Sequence, residues 1–303
     1  MIEIIAKAVS MTVLIFLGYF LKKKGLVKAD ARTSLLNLVF YITLPCILVS
    51  NLREFEFSSA LIVAFFCGFL TTLLPIFVSY IVYSRADIMT QRGCMINSSG
   101  YSMGTFTIPF IVTFLNPSSM IIIGMYDIGN SIMSLGGAYA TTSVLTKANV
   151  TSVFKDFCKK LFLSVPFITY IVVFTLHMLS VKIPDEIYVF TNMAGDATIF
   201  IVMIIIGIML EFNIPKEDTK DIVCFMILRL LCAVVFSLIV YYLLPIPFEY
   251  KKVIIICFFA PPATSSIFFG EKLGCKQTVI GAVNSLSIPV SMIIMTSLLI
   301  LLK

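Results

Sequence analysis

Gly100-Tyr101-Ser102-Met103-Gly104-Thr105-Phe106-Thr107-Ile108-Pro109 interrupts an apolar segment otherwise long enough to be a membrane helix. A second apolar segment is interrupted by Ala260-Pro261-Pro262-Ala263-Thr264-Ser265-Ser266. Proline removes an amide donor and clashes with the preceding turn, and glycine weakens a helix. Each breaker is followed after 21 or 22 residues by Asn-Ser, Pro109 by Asn130-Ser131 and Pro262 by Asn284-Ser285. In lipid the freed backbone groups must face protein or a polar cavity. Interruptions at matching places in two halves point to a binding site near the bilayer midplane. The competing reading is a proline kink in each span, with Gly100 and Gly104 as a small-residue packing face. It accounts for one broken span more readily than for a matched pair.

The composition around these segments agrees. Of 303 residues 59% are apolar and 13% charged, far from the balance of a soluble domain, which excludes a soluble enzyme or nucleic-acid binder. A span needs roughly 20 mostly apolar residues. Ten segments qualify, about 4–21, 34–50, 60–83, 93–114, 119–145, 159–180, 187–210, 222–244, 253–270 and 278–302. The first is followed by Lys22, Lys23 and Lys24 and not by a small-residue cleavage site, so it reads as a span and not as a signal peptide.

The net charge of +6 is a topology signal. Loops after odd-numbered spans carry Lys22, Lys23, Lys24, Lys28, Arg32, Arg85, Arg92, Lys147, Lys155, Lys159, Lys160, Lys216, Lys220, Lys272 and Lys276. The other side has only Lys7, Arg53, Lys182, Lys251, Lys252 and Lys303. The excess puts the first set in the cytoplasm and both termini outside. Five spans per half is an odd number, so related halves must insert with opposite orientation. The expectation is an all-α integral membrane protein of ten transmembrane helices, two inverted five-helix repeats with broken crossover helices 4 and 9. The repeats are residues 1–146 and 159–303, joined by a short cytoplasmic loop at 147–158.

Asp127 lies well inside span 5, where a carboxylate costs about 2.5–3.5 kcal/mol and therefore faces a cavity or a partner. Asp127, Asn130, Ser131, Ser134, Ala138 and Thr141 form one polar or small stripe at helical spacing. Span 10 repeats the idea with Gly281, Asn284, Ser287 and Ser291. Two readings of Asp127 stand: a proton or cation site, or a structural acid bonded to a broken helix. Thr107 and Thr264 are candidate caps of the second half-helices, whose N-termini would suit an anion. Arg229 reads either as a snorkelling side chain or as a charge partner. Asp196 and His177 read as interfacial or surface groups, and Asn37 and Pro45 as a kink or part of a site wall.

Several chemistries have no support. There is no GxxxxGK[ST], no HExxH, no catalytic-triad set, no CxxC and no potassium-type selectivity filter. No cofactor and no metal are expected, and the chain does not read as an enzyme.

The chain resembles the auxin efflux carrier family, which includes malate-permease-like bacterial members. The resemblance lies in Gly18-Tyr19-Phe20-Leu21-Lys22-Lys23-Lys24-Gly25 and Leu36-Asn37-Leu38-Val39-Phe40-Tyr41-Ile42-Thr43-Leu44-Pro45. It continues from Gly104 and Pro109 through Tyr126-Asp127-Ile128-Gly129-Asn130 to Gly136-Gly137-Ala138-Tyr139, and again at Pro261-Pro262-Ala263. It implies a scaffold of spans 1, 2, 6 and 7, often dimeric, and a moving transport domain of spans 3–5 and 8–10. Two departures are visible: many members carry an asparagine where this chain has Thr105, and the long central loop of plant members is missing.

The resulting expectation is a secondary transporter in the plasma membrane, moving a small organic anion with a proton or sodium as coupling ion. Thr105, Phe106, Pro261, Pro262 and Thr264 would mark the crossover, Asn130 and Asn284 would line the substrate site, and Asp127 would couple the ion. The partners are substrate, lipid and a second copy of the chain, with no nucleic acid. The rivals are a cation/proton antiporter and a membrane sensor that does not transport.

Overall fold

The computed structural model describes residues 2–28, 30–51, 58–115, 119–148, 163–210 and 216–302. Most of the 147–158 loop, with Lys155, lies outside them, as do Arg53, Lys159, Lys160 and Lys303. Every regular element described is a helix, the form in which a chain in lipid satisfies its backbone within each segment.

In chain order these are α1 (Ile2–Lys23), α2 (Ala31–Asn51), α3 (Ser59–Val82), α4 (Ile88–Ser98), α5 (Met103–Phe114) and α6 (Ser119–Ile132). Next come α7 (Ala138–Leu145), α8 (Val165–Met178), α9 (Asp185–Met209), α10 (Thr219–Leu243), α11 (Phe248–Phe258), α12 (Ser265–Lys272) and α13 (Gln277–Leu301). By length and composition α1, α2, α3, α9, α10 and α13 are each able to cross a membrane. Their exposed faces are apolar: Val9, Val13, Phe16 and Phe20 on α1, and Leu231, Val235 and Leu238 on α10. Such faces are stable only against lipid or another protein. The molecule is an all-helical, multi-pass membrane protein.

Two packing groups emerge. In one, α9 runs against α1 and α2, and α8 packs on the second half of α2. In the other, α3 runs against α4 and α6, while α10 packs on α11 and α13. Lipid offers no hydrophobic drive for such pairing, so close backbone approach has to supply it. Glycines permit that approach. A Cβ on Gly68 would collide with the Tyr126 carbonyl, and one on Gly129 with that of Phe65, locking α3 to α6. Gly18 meets Ile204 and Gly207 meets Ile15 in the same way between α1 and α9.

Two helices are distorted at readable places. α2 contains a π turn, Val39–Thr43, just before Pro45. Proline has no N–H for the carbonyl four residues back, and the wider turn accommodates this. Asn37, by contrast, is exposed. A second π turn, Met133–Gly137, joins α6 to α7. The extra residue in that turn rotates α7 relative to α6, so the stripe that begins at Asp127 does not continue to Ala138, which is buried with Ile76 and Tyr139.

Candidate functional site

The two interruptions lie antiparallel to each other. Ser102 N–H donates to the Pro261 carbonyl at 2.9 Å, and Ala263 N–H to the Gly100 carbonyl at 3.3 Å. Between these bonds Tyr101 sits opposite Pro262, a bridge of the type in which neither residue bonds the other. Proline suits that position because it has no N–H to leave unpaired. Gly100 reaches it with φ +76°, a left-handed conformation that side chains disfavour. Space is short as well, since a Cβ there would lie 3.2 Å from that of Ser134 and 3.3 Å from that of Ala263.

The outward backbone groups of Tyr101 are taken by Asn130. Asn130 Oδ1 accepts from Tyr101 N–H at 2.8 Å, and Nδ2 donates to the Tyr101 carbonyl at 3.1 Å. The same Nδ2 donates to Asp127 Oδ1 at 3.1 Å, and the Tyr170 hydroxyl donates to Asp127 Oδ2 at 3.3 Å. Ser265 Oγ adds a 2.6 Å bond to the Ser134 carbonyl, tying the second break to the end of the Asp127 helix region.

Arg229 of α10 is buried on the other side. Its Nη1 donates to the Asn97 carbonyl at 2.9 Å, and its Nη2 to those of Gly100 at 3.0 Å and Ala260 at 3.2 Å. The guanidinium carbon stands 4.4 Å from the centre of the Tyr101 ring. α4 and α11 therefore both end on one cation, which complements the partial negative charge of two helix C-termini. Arg229 does not snorkel to the membrane surface: 7% of it is exposed, and the carbonyls left by two breaks hold it inside.

Two cavities flank the crossing. One, of about 220 Å³, is lined by Ser102, Thr105, Phe106, Pro261, Pro262, Thr264, Gln277, Gly281, Asn284 and Ser285, with Arg32 and apolar groups of α9. The other, of about 340 Å³, is lined by Asp127, Asn130, Ser131, Ser134, Ser164, Pro166 and Ser265. Ser102, Thr105 and Thr264 border both.

The sequence-derived candidates thus divide between two spaces. Thr105, Phe106, Pro261, Pro262, Thr264 and Asn284 line the first cavity, and Asp127 and Asn130 line the second. Asn284 Nδ2 donates to Ser266 Oγ at 2.9 Å, the Ile280 carbonyl at 3.0 Å and Asn97 Oδ1 at 3.4 Å. Ser287 and Ser291 border a narrow gap beside Arg229 and Ala260. The two threonines do not cap with their side chains. Thr107 is already helical, and its hydroxyl donates to the Ser102 carbonyl at 3.1 Å, so it serves a carbonyl and not the free amides. Asp196 is exposed on α9, and His177 sits in the last turn of α8.

Tyr101, Ser102, Arg229 and Gln277 were not singled out as site residues by the sequence. Arg229 carried the one usable signal, a cation inside an apolar span.

The family model described as Membrane transport protein covers residues 3–299. No curated protein matches the chain.

Proposed function

We propose that this chain, which belongs to the auxin efflux carrier family of membrane transport proteins, is a secondary carrier for a small organic anion. In this reading the ten apolar segments are ten spans in two inverted repeats, 1–146 and 159–303, with α4–α5 and α11–α12 as the broken spans. The group built on α1, α2, α8 and α9 is the scaffold and the dimer-forming part. The group carrying the crossing moves against it.

The observation that carries the reading is the pairing of the two breaks, Tyr101 against Pro262, with a polar-lined cavity on each side. Backbone unwound inside a membrane protein is tolerated where it lines a cavity. Half-helix starts beside such a cavity present N–H groups and partial positive charge to an anion. The first cavity is the substrate site: it combines those starts with Thr105, Thr264, Asn284 and Gln277, and Arg32 stands at its wall. Asp127, in the second cavity, takes the coupling proton. In this reading the Lys/Arg-rich loops next to Arg32, Gln277 and Ser164 are cytoplasmic and both termini are outside.

Uptake into proteoliposomes tests the reading. Labelled mono- and dicarboxylates are offered with and without a pH gradient, to wild type and Asp127→Asn. Gradient-driven uptake that the variant loses supports proton coupling at Asp127. Uptake and pH dependence unchanged in the variant would remove Asp127 from coupling. A second reading, cation/proton exchange, draws on the oxygens of Ser131 and Ser134 beside Asp127. Cation-driven proton flux with no uptake of any acid would favour it.

A further inference from the structure

Resting on the carrier reading, we propose that Arg229 is the fixed counter-charge of the crossing. With it, one proton on Asp127 and one carboxylate in the first cavity give the loaded crossing the net charge of the empty one.

A guanidinium does not lose its proton in a protein. That of Arg229 is buried, all three of its hydrogen bonds go to uncharged carbonyls, and no carboxylate lies within ion-pair distance among the described residues. Of the two buried acids among the described residues, Asp218 is paired with Lys276, and the other is Asp127, reached from Arg229 through Tyr101 and Asn130. The titratable groups facing Asp127 are Tyr170 of α8 and Cys257 of α11; those facing Arg229 are Tyr101, Tyr126 and Cys232. With Asp127 ionised, the two charges cancel. A proton on Asp127 leaves the cation unbalanced in a low-dielectric site, which is costly until an anion enters. Proton and carboxylate therefore favour each other's binding, by the reciprocity of linked equilibria. Empty and doubly loaded crossings are both neutral, so both can reorient without moving charge through the membrane field.

The test uses the full chain in proteoliposomes, with labelled pyruvate and labelled succinate as probes and an imposed pH gradient. Wild-type pyruvate uptake is expected to be the same at zero potential and at a strongly negative interior clamped with potassium and valinomycin. Arg229→Gln is expected to raise the pyruvate KM on the order of tenfold, the effect of one unit charge at moderate range, and to make uptake sensitive to potential because the loaded crossing is then charged. Arg229→Lys keeps the charge but not the fork, and is expected to restore most of the affinity. The proposal is overturned if potential drives wild-type pyruvate uptake, if Arg229→Gln leaves KM unchanged, or if Arg229→Lys is as impaired as Arg229→Gln. The potential measurement needs no variant, so it decides even if Arg229→Gln does not fold. Uptake of neither probe nor any other acid by folded wild type overturns the carrier reading itself, and this inference with it.

Discussion

The two sides of the crossing share a plan and differ in what they leave free. In the first half the helical pair is Asp127 and Asn130, and in the second it is Gly281 and Asn284, at the same spacing. Asn130 spends both ends of its amide on Tyr101 and Asp127. Asn284 donates only through Nδ2, to three acceptors, and its Oδ1 takes part in no bond among the described residues. Where the first half has a carboxylate, the second has Gly281, and a Cβ there would meet nothing within 4 Å. The amide beside the first break is thus fully spent on holding the crossing together, while the one beside the second keeps its oxygen free and has open space one turn away.

The strongest way to break this comparison is to remove the two asparagines separately. Asn130→Ala strands the buried N–H of Tyr101, whose carbonyl keeps its bond from Met103 N–H, and takes a donor from buried Asp127, a loss of about 2–5 kcal/mol for one unsatisfied group and one bond to a carboxylate. Asn284→Ala strands no backbone group and should lower thermal stability in detergent far less while impairing transport. Equal unfolding temperatures for the two variants would mean the sides are not different in kind.

Gly100→Ala comes next. Left-handed backbone with a Cβ costs about 1–2 kcal/mol, and Ser134 and Ala263 leave little room to relax. Denaturant or thermal unfolding should report a drop of that size, and no drop would mean the break can adopt another turn.

The starts of the two interrupted helices differ too. Asp87 caps α4, its Oδ1 accepting from the N–H groups of Met89 and Thr90 at 3.0 Å, whereas α11 starts after Pro247 with no side-chain cap. Asp87→Ala should cost about 1 kcal/mol. The bonds from Thr90 first, and then from Met89, hold the Asp87 carboxyl below its ordinary range. Its contribution is therefore present above about pH 4 and fades as pH falls through the depressed value. Unfolding of wild type and variant should converge in acid; a gap that stays constant with pH would rule out the cap as its source.

The smallest effect is expected at Gly281. Alanine there should stabilise α13 by at most about 1 kcal/mol, since a helix prefers it and space is open. The added methyl projects into the first cavity, so substrate KM should rise while stability does not fall. Unchanged transport with Gly281→Leu would move the substrate elsewhere.

Much of this was legible in the chain because it depends on local chemistry. Hydropathy set the apolar segments, and Gly100, Pro261 and Pro262 marked where helices stop. The Asp127 stripe followed from helical spacing and held as far as Ser134. It failed at Ala138 because one π turn, which hydropathy does not register, rotated the helix. The pairing of the capping threonines failed for a related reason: Thr107 was already inside a turn whose wider hydrogen-bond pattern absorbed the free end.

What the sequence by itself determined is that the protein lives in a membrane, is broken at two places and carries an acid near one of them. Each follows from residues within a helix turn or two of one another, where transfer energy and backbone restriction act directly. Only the tertiary structure decided which buried group satisfies which. Asn130 serves Tyr101 across 29 residues, and Arg229 serves Asn97 across 132. Hydrogen bonds of that kind are chosen by what the packed helices bring within about 3 Å. They separated the acid from the cavity proposed for the substrate, and they placed a cation on the carbonyl ends of both half-helices.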